Sequence, residues 1–214
     1  MCTTNTLLYI SLADVNDFAL AELEAANHLL SFFPGIELTL ESYLKQRNAL
    51  QDAAWPTVPL LPGVKKLVLH LKAHNIPIAV ATGSRRSKFE LKTGHLGEVF
   101  DCFEGKVVCG DEQEHYKGMR GKPYPDIFVV AAREMLKRDV GDARLSGAEL
   151  SPNQIEQRGK GLVFEDGLPG MQAGKRAGMS GKYLHPEQVI LMRSFSYSGL
   201  GSRCKPIRRG VLRG

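Results

Sequence analysis

Cysteine is scarce in this chain of 214 residues: Cys2, Cys102, Cys109 and Cys204 lie far apart, with no C-x-x-C pair. That spacing argues against a disulfide scaffold or a zinc ribbon and predicts reduced thiols. Long apolar runs are missing too. No window approaches the ~18 uninterrupted apolar residues of a membrane helix, so no membrane partner is expected. The opening "MCTTNTLLYISLADVND" has no basic start and its apolar stretch ends in acid. It makes a poor signal peptide, which predicts a cytoplasmic protein. Aromatics are 7% of the residues and do not interleave with basic ones, which disfavours a nucleic-acid surface despite a pI near 9.0.

The basic excess is local. Residues 181–214 hold seven Lys and Arg against Glu187, a net of +6; the whole chain is +5, so residues 1–180 sum to −1. With 43% apolar and 24% charged residues, the rest reads as an ordinary globular protein with one substantial core and room for a small second module.

No internal repeat is visible. "LLYISLA" (7–13) predicts a buried strand, and Asp17 is placed to cap a helix after it. Thr39 is a better cap, with Leu40, Tyr43, Leu44, Leu50 and Ala54 assigned to one helical face. "WPTVPLLPG" (55–63) is a turn-rich boundary. Beyond it, Val64, Leu67, Val68 and Leu71 fit an amphipathic helix over 64–74. "IPIAVA" (76–81), "KVVCG" (106–110) and "GLVF" (161–164) fit strands, and "DIFVVAAREML" (126–136) another helix. Residues 139–160 are polar and contain Pro152, which predicts a long surface loop. Strands alternating with helices imply a parallel sheet, whose ligands bind at the carboxyl ends of the strands.

Three clusters could carry chemistry there. In "AVATGS", Thr82 can donate a hydroxyl to an anion, and Gly83 lets backbone N–H groups approach it. In "GKPYPDIF", Pro123 and Pro125 stiffen the loop that carries Lys122, whose ammonium suits a phosphate or a carboxylate. In "GLVFEDGLPGMQAGKRAGM", Glu165 and Asp166 end an apolar run and offer oxygen ligands for Mg²⁺. Behind them Gly170, Gly174 and Gly178 repeat every four residues, which allows a helix to pack close to the sheet. Singly, the three also fit a strand-ending turn, an exposed lysine and a solvated acidic turn.

Together, a hydroxyl at 82, a lysine at 122 and an acid pair at 165 and 166 form an ordered constellation. From about 55 to 179 the chain resembles the haloacid dehalogenase-like (HAD) superfamily, in particular its capped small-molecule phosphatases such as pseudouridine-5'-phosphatase and its fungal relatives. The resemblance rests on "LPGVKKLVLHLKAHNIPIAVATGS", "GKPYPDIF" and "LVFEDGLPGMQAGKRAGM". It implies an α/β, Rossmann-like parallel sheet with helices on both faces and a curtailed helical cap. The parts would be a first core strand within 1–16, a partial cap over 17–55, the core over 56–180 and an atypical basic tail over 181–214. It further implies that Thr82, Gly83 and Ser84 bind the phosphate of a small phosphorylated metabolite, that Lys122 stabilises nucleophile and phosphoryl group, and that Glu165 and Asp166 hold Mg²⁺.

The family's first motif is an apolar strand ending in D-x-D, with an aspartate nucleophile and, two residues on, an aspartate acid/base. This chain has "LLYISLADVNDF". Asp14 takes the nucleophile's position and Asn16, a neutral amide, that of the acid/base. Only 68 positions separate Asp14 from Thr82, fewer than a complete cap needs. The segment after "AGM" is polar where the family continues with an apolar edge strand, and its simplest reading is an alternative or mis-spliced end. Three functions follow: an Mg²⁺-dependent phosphatase, a pseudoenzyme lacking its nucleophile, and a polyanion-binding protein acting through the basic tail.

Overall fold

The computed structural model describes residues 7–10, 19–116 and 118–183. Five parallel strands form one sheet in the order β3-β2-β1-β4-β5. They are β1 (Leu7–Ile10), β2 (Ile78–Ala81), β3 (Val107–Val108), β4 (Gly161–Glu165) and β5 (Ser180–Tyr183). β1 is central: Leu8 stands opposite Ile78 on one side and Leu162 on the other. A strand flanked on both sides has all its ladder groups paired, so the "LLYI" stretch closes the sheet rather than leaving a gap.

Alternation along the strands divides the core into two layers. Ala79, Ala81, Val108 and Val163 face one layer, with Ile127, Phe128, Val129 and Ala173 from the helices beside them. Ile78, Val80, Val107 and Phe164 face the other, against Val68, Phe89, Val99 and Phe103. Burial on both faces is why these strands read as continuous apolar runs.

Between β1 and β2 run α1 (Ala19–Ser31), α2 (Leu40–Ala54), a 3-10 turn (Trp55–Thr57) and α3 (Val64–Ala73). α4 (Arg86–Thr93) and α5 (Gly97–Phe100) lead to β3. α6 (Asp126–Val130) continues as a π turn over Ala131–Met135, so the apolar stretch from 126 is helical but not uniformly α. α7 (Pro152–Gly159) and α8 (Leu168–Arg176) flank β4. Val163 lies 3.2 Å from where a Cβ on Gly174 would sit, so the small-residue face of α8 does rest closely on the sheet. Among the described residues no helix is long and apolar enough to cross a membrane.

Three expectations are corrected. Residues 139–160 are not a long loop: α7 forms there because Ser151 and Gln154 make a reciprocal capping box and Pro152 occupies the first turn, where its missing N–H costs nothing. Arg158 then fixes the preceding segment by donating to the carbonyls of Val140 and Asp142, each at 2.7 Å. Thr39 does cap α2, accepting from the Ser42 N–H at 3.2 Å, but the helix buries no residue. Leu50 is 73% exposed. Six positions beyond Leu44 is about 1.7 turns, so the two cannot share a face; Tyr43, Leu44, Arg47 and Gln51 are among the half-buried ones. Finally, the polar "SGKY" does form an edge strand, β5, held by backbone pairing with β4 from Ser180 opposite Leu162 to Tyr183 opposite Glu165. Asp17 lies outside the described residues, as does nearly all of the basic tail.

Candidate functional site

The strand order reverses between β1 and β4, and ligands in open parallel sheets bind at the carboxyl ends beside such a point. Thr82 directly follows β2 and is fully buried. Its N–H donates to the Val108 carbonyl at 3.0 Å, and its hydroxyl oxygen accepts from the Ser84 N–H at 3.1 Å. The turn is thereby tied to β3 and bent back on itself. Gly110, after β3, donates its N–H to the Ser84 carbonyl at 3.0 Å. A Cβ on Gly110 would fall 2.1 Å from the Gly83 carbonyl oxygen, so only glycine lets the two loops meet. Arg86 reinforces the junction, donating Nε to Glu112 Oε1 at 3.1 Å, while Glu112 Oε2 accepts from the Cys109 N–H at 3.0 Å.

Lys122 enters from a loop closed at its base. Asp126 accepts from Arg120 three times, from the backbone N–H at 2.9 Å, Nε at 3.1 Å and Nη2 at 2.8 Å. The bond to Asp126 pushes the Arg120 guanidinium still further from deprotonation. Arg120 also lies over the Tyr124 ring, 4.2 Å from its centroid. Arg176 of α8 donates to the Pro123 carbonyl at 2.8 Å, and the Lys122–Pro123 peptide is cis. These contacts leave the lysine few orientations.

Its ammonium reaches Glu165 Oε1 at 2.8 Å, with both side chains only 3% exposed. The other oxygen of Glu165 accepts from the N–H groups of Asp166 and Gly167, each at 3.1 Å. A buried ion pair is tolerable when its remaining lone pairs are satisfied in this way. The two acids therefore differ. Glu165, the last residue of β4, turns inward and holds the lysine; Asp166, half-buried, begins the loop beyond it.

Gly83 and Lys122 line the same small cleft, with Gly110, Arg120, Gly121 and Ile127. An ammonium and glycine backbone around one hollow are suited to an anion. Thus Gly83 shares the cleft with Lys122, Thr82 and Ser84 flank Gly83 in the chain, and Lys122 meets Glu165. Asp14 and Asn16 lie outside the described residues. Among the described residues no group of three or more His, Cys, Asp or Glu side chains could hold a metal. Asp166 carries hard oxygen donors of the kind Mg²⁺ takes, whereas both oxygens of Glu165 already accept bonds, one from Lys122 and the other from the N–H groups of Asp166 and Gly167.

Sequence reasoning missed four contributors. Gly110 had a visible signal, a glycine at the carboxyl end of "KVVCG". Asp126 also had one, an acid at the start of the helix after two prolines. The Arg120 partner and the Gly170 contact with Glu165 come from tertiary packing and had none.

Comparison with known proteins gives a consistent picture. The family described as haloacid dehalogenase-like hydrolase matches residues 41–178. The chain is 36% identical over 165 residues to a Saccharomyces cerevisiae protein named a probable pseudouridine-5'-phosphatase, covering 77% of this chain and 63% of that one. It is 35% identical over 143 residues to the mitochondrial (DL)-glycerol-3-phosphatase 1 of Arabidopsis thaliana, covering 67% and 41%. The chain thus spans less than two thirds of the length of these relatives. A solved structure of a HAD hydrolase of family IA, variant 3, from Entamoeba histolytica shares the fold, with a TM-score of 0.54, 20% identity and 85% of each chain covered.

Proposed function

The chain belongs to the haloacid dehalogenase-like hydrolase family, and from that premise we propose that it is an Mg²⁺-dependent phosphatase of small phosphomonoesters, sugar or nucleoside phosphates. One observation carries the reading: the Gly83 loop and the carboxylate-held Lys122 line one cleft at the carboxyl ends of β2 and β4. The names of the two relatives, phosphatases of small phosphate esters, support the substrate class.

In this reading Thr82, Gly83 and Ser84 receive the phosphate, and Lys122 balances charge on its oxygens. Lys122 donates from a fixed position because Glu165 holds it, so little reorganisation is needed as charge moves. Asp166 would be a direct ligand of Mg²⁺ and Glu165 the second carboxylate beside it. Bound there, Mg²⁺ would supply charge neutralisation for the phosphoryl oxygens. Asp14 attacks phosphorus through a carboxylate oxygen; the P–O bond to the leaving alkoxide breaks, and the alkoxide takes up a proton from solvent water, since Asn16 has none to give. Water then cleaves the aspartyl-phosphate and releases inorganic phosphate, regenerating Asp14.

A second reading rests on Asn16. An amide cannot shuttle the proton the leaving group needs, and such help is commonly worth about 10²–10⁴ in rate. The chain would then bind phosphate with little turnover. The deciding assay is phosphate release from a panel of sugar and nucleoside monophosphates, beside Asp14→Asn. Release that vanishes in the variant supports the phosphatase. Phosphate binding without release supports the second reading, and release that survives Asp14→Asn contradicts the assigned nucleophile.

A further inference from the structure

The chain has a single tryptophan, Trp55, in the 3-10 turn that ends α2 and leads into the core. Two lysines one turn apart on α4 converge on its ring: Lys88 at 5.3 Å and Lys92 at 4.5 Å from the centroid. Like charges at that helical spacing repel each other. Each here has a counter-group at the opposite end of the cluster. Lys88 pairs with Asp52 of α2. Lys92 donates to the hydroxyl of the buried Ser84 at 3.0 Å. Ser84 in turn donates its N–H to Thr82 Oγ1. A continuous path therefore joins α2, the Trp55 turn, α4 and the loop assigned to phosphate.

We propose that Lys92 is a positioning residue, coupling an anion in the Thr82–Ser84 loop to the α2–α3 connection through Trp55. The proposal deepens the phosphatase reading and rests on it. An anion arriving beside Ser84 attracts the Lys92 ammonium, and the attraction is drawn against the ammonium's contact with the indole face. The charge cannot satisfy both equally well, so occupancy of the loop alters the grip on Trp55. By linkage, anything that shifts the Trp55 turn alters the affinity of the loop by the same factor. Lys88 lacks the bond to Ser84 and anchors the other end, through Asp52. The substrate's phosphate would thus be sensed by the segment between α2 and α3 without any contact from α2 to the ligand.

The sole tryptophan makes this measurable without turnover. The full chain is titrated with inorganic phosphate, following heat by calorimetry and Trp55 emission in parallel, with native-like circular dichroism required of each variant. The proposal expects an emission change that saturates at the calorimetric midpoint. In Lys92→Met phosphate still binds, about two- to fivefold more weakly, and the emission no longer follows. Lys92→Arg restores both, and Lys88→Met keeps the response. Binding with flat native emission, or a Lys92→Met protein that responds like the native one, overturns the proposal alone. No detectable binding of phosphate by the native chain overturns the phosphatase reading and the coupling with it.

Discussion

The carboxylate of Glu165 lies against the backbone of Gly170 where no side chain could stand: a Cβ there would fall 1.8 Å from Oε1. That oxygen also receives the Lys122 ammonium, and the opposite one receives two backbone N–H groups. The carboxylate cannot swing aside without giving up all three. Gly170→Ala is therefore expected to destabilise the fold by about 1–3 kcal/mol, the usual cost of overpacking, and to weaken phosphate binding as Lys122 loses its holder. Urea unfolding and phosphate calorimetry on the variant test both halves.

Gly110 and Gly83 meet backbone to backbone, so the second cradle has no flexible side chain to yield. Gly110→Ala should separate the loops after β2 and β3 and lower phosphate affinity more than tenfold, with a smaller effect on overall secondary structure. Calorimetry beside circular dichroism distinguishes a local lesion from unfolding.

Lys122→Met leaves Glu165 as an uncompensated buried charge. Breaking one side of such a pair costs about 3–5 kcal/mol, and here the two remaining N–H bonds hold the loss to the lower end. The double variant Lys122→Met with Glu165→Leu removes both charges and is expected to regain most of that stability, but no activity. Denaturant midpoints for the single and double variants check the sign.

The surface offers a pH test. Lys106 and Lys72 both donate to Glu104 and hold its carboxyl down at about 2, against an ordinary 4.5. A depressed carboxyl contributes stability that is full above the ordinary value and is lost as pH falls through the folded one. Glu104→Gln should lower the melting temperature slightly at pH 7, with the difference closing between pH 4.5 and 2. Salt should shrink it as well, since these groups are solvent-exposed.

Much of this was legible in the sequence, for physical reasons that can be named. β2 and β4 announce themselves because burial on both faces demands unbroken apolar runs, and residues 82 and 165 follow as strand ends. Lys122 is marked by the prolines around it. Elsewhere local signals conflicted. Pro152 reads as a breaker until Ser151 and Gln154 are seen as a cap, and β5 escapes notice because an edge strand can form through its backbone alone. The division of labour between Glu165 and Asp166 could not be read, since adjacent acids look alike until one is turned toward a lysine 43 positions away in the chain.

The most direct test is phosphate release from sugar and nucleoside monophosphates across a magnesium titration, comparing the native chain with Asp166→Asn and Lys122→Met. The account predicts release that rises with magnesium in the native chain, needs far more of it in Asp166→Asn, and is lost in Lys122→Met at every concentration. Release that is indifferent to magnesium, or that survives in Lys122→Met, would contradict it.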